Sequence, residues 1–474
     1  MSATGKRSIW YPGRFRLWRL IVISAGLVLV VGLPRVIART VTYAGLVQEA
    51  RSLSAAPLPA PYHKGQNKAS PKRPWQRLAS LSGKVSGTLS CVLGPRSAPA
   101  VTLLTKAPAQ TWHCVALRLE GAGRAGYAPT LFLMRGGDFR AIPAGASAGA
   151  KALAFLGSRR EGEVFRHIWI GYRDQRLCVW ALLSGRAANG AYRFEIESRQ
   201  SVRMTVKATL FFRRRPRVFG IPALASLYDY GVGNHMPARA LYLARHTSDG
   251  LLIQTAHAAY WAPLRNPQSP YEHMFASPAV RKFGLWQRDR KARYYGTQKG
   301  HYQDAPNVWV QMPRHLQGHV ILKEWPARAG DHDNVVAGFV PLVKPQAQTA
   351  FTASYRIDWT HRDRGRAMFA HVVSTLIGGN AVTGARKYVI DYAGGPLRAA
   401  GAQALVRGKV WVHPDTFVTQ DTVGFNPYTG GWRQVIQVLP LAGRHLHVKA
   451  WLTFDHHLAS EIWEYDVFPP YRSH

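Results

Sequence analysis

Carboxylates are scarce in this chain. Only 25 Asp and Glu stand against 62 Lys and Arg over 474 residues, a formal net charge of +37. Cysteine is scarcer still: Cys91, Cys114 and Cys178 are too few for a disulfide framework and lack metal-ligand spacing. Internal repeats, a phosphate loop, a dinucleotide fingerprint and a Gly-x-Ser-x-Gly elbow are all missing, so neither metal nor cofactor is expected. No recognition helix or zinc module accompanies the positive charge, which is spread along the chain and argues against a nucleic-acid partner. A solvated, arginine-rich surface is the plain reading. Attraction to anionic membrane headgroups or to an acidic polysaccharide is the other.

The N-terminus carries its own signal. Lys6, Arg7, Arg14, Arg16 and Arg19 precede an apolar run from Leu20 to Leu33. A basic flank before a short apolar core is the pattern of a secretory signal. The run is short for a membrane span, but Val36-Ile37-Ala38 can extend it, so residues 1–40 are either a cleaved signal or a retained inner-membrane anchor over 20–38. Either way the rest of the chain is exported. Export permits a disulfide, and Cys91 and Cys114, in neighbouring strand-like segments, can pair. Cys178, within Leu177-Cys178-Val179-Trp180, reads as a buried free thiol.

Residues 41–85 read as a linker. Ala55-Ala56-Pro57-Leu58-Pro59-Ala60-Pro61 cannot hold a helix, because proline lacks the amide proton, and Lys64 to Arg77 is basic and polar. Beyond it, glycine and proline recur at short intervals, with 15 Trp and 20 Tyr, and period-two alternation dominates. Val202, Met204, Val206, Ala208 and Leu210 alternate with polar residues. So do Tyr192, Phe194 and Ile196, and later Leu446, Val448, Ala450, Leu452 and Phe454. Each run puts one face in a core, which predicts an all-β, antiparallel, sandwich-type protein. The charged stretch His361-Arg362-Asp363-Arg364-Gly365 suits a hinge between a large sandwich over 86–360 and a smaller one over 366–474, of immunoglobulin-like length.

Acid chemistry has few places to sit. Asp331-His332-Asp333-Asn334 stands immediately before the strand-like Val335-Val336-Ala337-Gly338-Phe339. Asp249-Gly250 is a second candidate, although it is also an ordinary hairpin-turn dipeptide, as Asp333-Asn334 is an ordinary loop one. Sugar rings offer a flat apolar face edged by hydroxyls, so aromatic planes with forked polar groups bind them. Tyr228, Tyr230, Trp261, Trp286, Arg288, Asp289, Tyr302 and Trp309 are the candidates for such contacts, with core packing as the alternative for the aromatics and a surface ion-pair network for Arg288-Asp289-Arg290.

From about Leu119 onward the chain resembles the periplasmic glucan biosynthesis protein family, types G and D. The resemblance is carried in order by Ala181-Leu182-Leu183-Ser184-Gly185-Arg186, Phe219-Gly220-Ile221-Pro222, His246-Thr247-Ser248-Asp249-Gly250 and Trp261-Ala262-Pro263-Leu264-Arg265-Asn266-Pro267. Phe283-Gly284-Leu285-Trp286-Gln287-Arg288-Asp289, Val308-Trp309-Val310, His332-Asp333-Asn334 and Phe425-Asn426-Pro427-Tyr428-Thr429-Gly430-Gly431-Trp432 continue it. It implies a large galactose-mutarotase-like sandwich bearing a groove, an immunoglobulin-like second sandwich, and a periplasmic role in making β-1,2-linked glucan.

Two activities follow from it. One is inverting glycoside hydrolysis, with Asp333 as acid and Asp249 accepting the proton, across the roughly 6.5–9.5 Å that inversion requires. In an extended segment Asp331 would share a face with Asp333 and raise its proton affinity by like-charge repulsion. The other is non-catalytic glucan binding beside a membrane glucosyltransferase. The chain departs from the family where Ala258, Ala259 and Ala262 replace a carboxylate, an indole and a guanidinium, and where Gly330 replaces an acid. The alanines favour the second activity, whereas the retained Asp249 and Asp333 favour the first, which is the leading expectation.

Overall fold

A computed structural model describes residues 41–57, 74, 76–81, 85–104, 109–124, 131–143, 146, 149–157, 163–173, 176–198, 201–232, 240–275, 279–296, 301–327, 333–361, 368–379, 384–441 and 444–467. The expected signal or anchor, Asp331, His332 and most of the charged hinge lie outside these residues. No helix among the described residues is long and apolar enough to cross a membrane.

The protein is all-β, as the alternation predicted. In Val202–Phe212 the residues at 202, 204, 206, 208 and 210 are buried while Arg203 and Thr205 face water. Two broad sheets result. The front sheet runs in the order Gln76–Leu81, Val85–Leu93, Gln110–Arg124, Leu131–Arg135, Asp138–Ile142, Lys151–Leu153, Ala223–Ser226, Val335–Pro341, Gly318–Glu324, Tyr271–Met274. The back sheet includes Val164–Arg173, Arg176–Ser184, Ala188–Ser198, Val202–Phe212, Ala350–Thr360, Asn307–Gln311, Lys282–Trp286, Gly250–Gln254 and Ala259–Pro263. Strand Gln110–Arg124 belongs to both: its start pairs with Ala100–Leu103 of the back sheet and its later part with the front. One continuous core fills the space between them, with Phe139 of the front sheet edge-on to Phe194 of the back at 4.8 Å. Cys91 and Cys114 form a disulfide within this core, and Cys178 is a buried free thiol.

The C-terminal strands build a second, smaller sandwich. One layer is His371–Gly379, Arg386–Ala393, Gly431–Val438 and Val418–Asn426. The other is Val406–His413, Leu446–Phe454 and Ile462–Val467. Ile462–Val467 also pairs in parallel with Ala259–Pro263, so the back sheet runs on into this layer. Leu252, Trp261 and Trp286, on the outer face of the back sheet, share the second core with Tyr392, Trp432 and Trp463.

The linker expectation fails at its start. Tyr43–Ala55 is a helix, N-capped by the Thr42 hydroxyl on the Gly45 amide at 3.1 Å. Its buried residues Leu46, Ala50 and Ser54 recur every four positions, the spacing of one helix face. That face covers Trp169, Trp180, Ala191 and Phe211 on the outside of the back sheet. The prolines from 57 onward end the helix, but they say nothing of what precedes them. Gln76–Leu81, also within the expected linker, is an edge strand of the front sheet.

Candidate functional site

Asp249 ends the turn that leads into Gly250–Gln254. Its amide donates to the Trp286 carbonyl at 2.7 Å, and its carbonyl accepts from the Leu264 amide at 3.0 Å. Gly250 is required here for space: a Cβ would lie 2.0 Å from the Trp261 indole. The Asp249 side chain turns inward. Oδ2 accepts from the backbone amides of Arg288 at 2.9 Å and Asp289 at 2.7 Å. Oδ1 is shut off from solvent and has no hydrogen-bond partner among the described residues. Burial pushes this carboxyl above the ordinary carboxylate range, against the pull of the two amides and of Arg288.

Around Asp249 lies a buried polar cluster. Gln287 receives Nδ1 of His246 on its Oε1 at 2.9 Å and donates to the Tyr295 hydroxyl at 2.6 Å. The Tyr295 hydroxyl in turn donates to the Asp289 carbonyl at 2.8 Å. Burial lowers the His246 ring to about 4, so it is neutral. Tyr228 stacks on that ring at 5.3 Å, and Tyr302, half-buried, tilts towards Tyr295 at 6.3 Å. Asp289 is also raised, by burial first and by the neighbouring Asp249 charge.

Asp333 precedes Val335–Pro341 of the front sheet. Its Oδ2 is 2.9 Å from the Lys151 ammonium, which reaches Asp138 at 2.7 Å on its other side. Burial opposes the charge on Lys151, but the two carboxylates outweigh it and hold the amine above its ordinary range. Burial lowers the nearby Arg140, with Asp333 and Asp138 opposing. The like-charge partner expected for Asp333, Asp331, is outside the described residues.

One strand links the two aspartates. Ser226, the last residue of Ala223–Ser226, gives its carbonyl to the Asn334 amide at 3.1 Å and its hydroxyl to Ser248 at 2.8 Å. Asp249 and Asp333 therefore emerge at the same end of the sandwich from facing sheets. Asn334 ties that end together, accepting from the Tyr228 amide and donating to the carbonyls of Tyr228 and Trp325. Outside it, Asp229 holds Arg245 and Asn266 at 3.0 Å each, and Asn266 accepts from the Ala327 amide. Tyr230, in the two-stranded pairing with Arg245, is buried beside them.

Other expected sugar contacts lie elsewhere. Trp261 and Trp286 are 4% exposed, inside the second core, and Trp309 packs edge-on to Trp286 at 5.0 Å beside that core. Arg288 is not a free fork. It grips Glu461 of the small sandwich at 2.7 and 2.8 Å, donates to the Val372 carbonyl, and lies 3.6 Å above Trp261. The outer face of the back sheet, which the sequence left as either groove or core, is covered by the C-terminal strands. Ala259 and Ala262 are buried in these two cores. Lys151, Ser226, Asn334, Asp229 and Gln287 were missed. Only the proximity of Asn334 to Asp333 and of Gln287 to Arg288 hinted at them.

His273, His447 and Asp466 come together where the two sandwiches meet, with one potential ligand atom each inside 4.8 Å. Both ring nitrogens of His447 are engaged by carboxylates, Asp466 at 2.7 Å and Glu464 at 2.6 Å. Arg265 and Lys449 complete the group at 3.8 and 3.2 Å from those acids. Protons and cationic side chains satisfy this cluster, which is an ion-pair network.

Residues 125–467 match the family model described as periplasmic glucan biosynthesis protein, MdoG. Glucans biosynthesis protein D 1 of Ralstonia nicotianae is 32% identical over 358 residues, 68% of this chain and 65% of that protein. Glucans biosynthesis protein G of Sodalis glossinidius is 31% identical over 323 residues, 63% of this chain and 62% of that one. The Vibrio cholerae protein G is 28% identical over 354 residues, 72% and 64%. The chain thus spans less than two thirds of the length of these relatives. By the match over residues 125–467, the chain belongs to the periplasmic glucan biosynthesis protein (MdoG) family.

Proposed function

We propose that this chain serves glucan biosynthesis in the periplasm by holding the polysaccharide, β-1,2-linked, as it leaves a membrane glucosyltransferase. The observation that carries this reading is that the fold itself engages both candidate carboxylates. Oδ2 of Asp249 holds a loop in place and Oδ1 is sealed. Oδ2 of Asp333 is paired with the Lys151 ammonium. The half-buried rim of Asp229, Arg245, Trp325 and Asp289, with exposed Asn266, offers an indole and forked polar groups to a pyranose ring.

Inverting hydrolysis is the second reading, favoured by the raised Asp249 carboxyl at the same end as Asp333. It requires one carboxyl to protonate the leaving oxygen while the other draws a proton from the attacking water. That chemistry needs Asp249 to turn outward and Asp333 to leave Lys151. Titrating linear β-1,2-glucan into the full chain by calorimetry, and assaying the same mixture for reducing ends, separates the two. Binding that weakens in Trp325→Ala and Asp229→Ala, with no new reducing ends, supports holding. Reducing ends that vanish in both Asp249→Asn and Asp333→Asn overturn it in favour of hydrolysis. No binding at all rejects both.

A further inference from the structure

The end of the large sandwich opposite Asp249 and Asp333 carries a cluster of exposed basic side chains. Two crossovers between the sheets lie side by side there, 213–222 and 342–349. The Gln348 amide donates to the Phe212 carbonyl at 2.8 Å at one end of the pair, and the Ile221 amide to the Phe339 carbonyl at 2.7 Å at the other. A third turn, 312–317, joins them through the Leu342 amide and the Gln317 carbonyl at 3.0 Å. Arg214, Arg215, Arg217, Arg314 and Lys344 are exposed on these segments, which contain no Asp or Glu. Val218, Leu342 and Val343 are exposed among them at 37%, 50% and 78%.

The surface is also braced. Arg213 binds the carbonyls of Leu53, Ser54 and Ala56 at the end of the helix Tyr43–Ala55. Gln348 exchanges hydrogen bonds with Ser54 at 2.9 and 3.1 Å. The crossovers are thus fixed against the back sheet before any partner arrives.

We propose that this end docks on an anionic phospholipid bilayer. Exposed arginines next to exposed aliphatic tips match headgroup phosphates over acyl chains, each cation adding attraction at the surface and the tips entering below it. A soluble polyanion would engage the arginines and leave Leu342 and Val343 in water. The strand Val335–Pro341 runs from Asp333 and Asn334 to Leu342, so the seven residues place the candidate site about 23 Å from the docking surface. The glucan end then faces away from the membrane. This proposal does not depend on whether that end holds or cleaves glucan.

The test uses the full chain with Val343→Cys carrying a spin label, since Cys178 is buried and the other two cysteines are bonded. Vesicles of phosphatidylcholine with and without phosphatidylglycerol are compared, and label depth is read by power saturation. The label enters the acyl region only on vesicles containing phosphatidylglycerol, while a label at Thr429→Cys, on the small sandwich, stays aqueous. Adding Arg214→Glu, Arg215→Glu and Arg217→Glu returns the label to water and weakens this contact about a hundredfold. An aqueous label at 343 on protein that is bound to the vesicles overturns the proposal. So does equal immobilisation of that label by linear polyphosphate, which would make the patch a general polyanion site.

Discussion

Ser226 of the front sheet donates its hydroxyl to Ser248 of the back sheet at 2.8 Å, with both side chains fully buried. Thr247 meets the same Ser226 oxygen at 2.9 Å. This is the polar join between the strand beside Asp333 and the turn that carries Asp249. Ser226→Ala removes it and leaves two buried hydroxyls short of a partner. A loss of about 1–3 kcal/mol in urea unfolding is expected. A change within error would mean that the hydroxyls re-pair and that the join does not position the site.

Asp249 gives a prediction whose sign depends on pH. Its folded proton affinity is raised above the ordinary range by burial. A carboxyl raised in this way contributes stability below its unfolded value and loses it as pH rises through the folded one. Wherever Asp249 is ionised, the wild type carries a buried charge that Asn would not. Asp249→Asn keeps an oxygen for the amides of Arg288 and Asp289 and puts an amide nitrogen where Oδ1 now lacks a partner. The variant should be more stable than wild type at neutral pH, with the gain shrinking on acidification through the Asp249 range. Unfolding curves across acid and neutral pH check this, and a variant equally destabilised at every pH would refute it.

The sequence made the strands readable because burial on one face writes a period of two. Val202 to Leu210 and Leu446 to Leu452 obeyed it. Thr209 breaks the pattern, buried at a position that should face water, because Tyr43 of the helix covers it and bonds its hydroxyl at 2.9 Å. The helix was hidden by its own short length and by the proline run after it, although Leu46 and Ala50 stand one turn apart. The aromatics could not be sorted. An indole in a strand looks the same whether it meets a sugar or another layer, and Trp261 and Trp286 meet another layer. Asp249 was found through its motif, but its partners are backbone amides, which leave no mark in a sequence.

Arg288 and Glu461 join the two sandwiches. The guanidinium is bidentate to Glu461 and stacked on Trp261, with both charged side chains largely buried. Arg288→Ala strands a buried carboxylate that also accepts from the Val372 amide at 2.9 Å. The expected loss is about 3–5 kcal/mol. Arg288→Lys should recover little, since an ammonium cannot reproduce the fork or the stacking. Thermal or urea unfolding of both variants decides it. Full rescue by lysine would show that charge alone matters at this junction.

His447 places an alkaline limit on the same junction. Its ring lies between Asp466 and Glu464 and stacks on His273 at 4.8 Å, with Lys449 and Arg265 bound to the same acids. Burial opposes a positive charge there. The two carboxylates win and hold the imidazolium up to about 9 from the ordinary 6.5. Because the folded value is raised, its stabilisation is complete below 6.5 and disappears as pH climbs through about 9. The shift corresponds to about 3 kcal/mol. Asp466, brought down to about 2 by its bond to His447 despite burial, behaves in the opposite sense and fails only in strong acid. His447→Gln should therefore cost most of that stability at pH 6.5 and approach wild type above pH 9. Unfolding free energies of both proteins across this range are the measurement, and a pH-independent difference would show that the ring acts there by packing and not by charge.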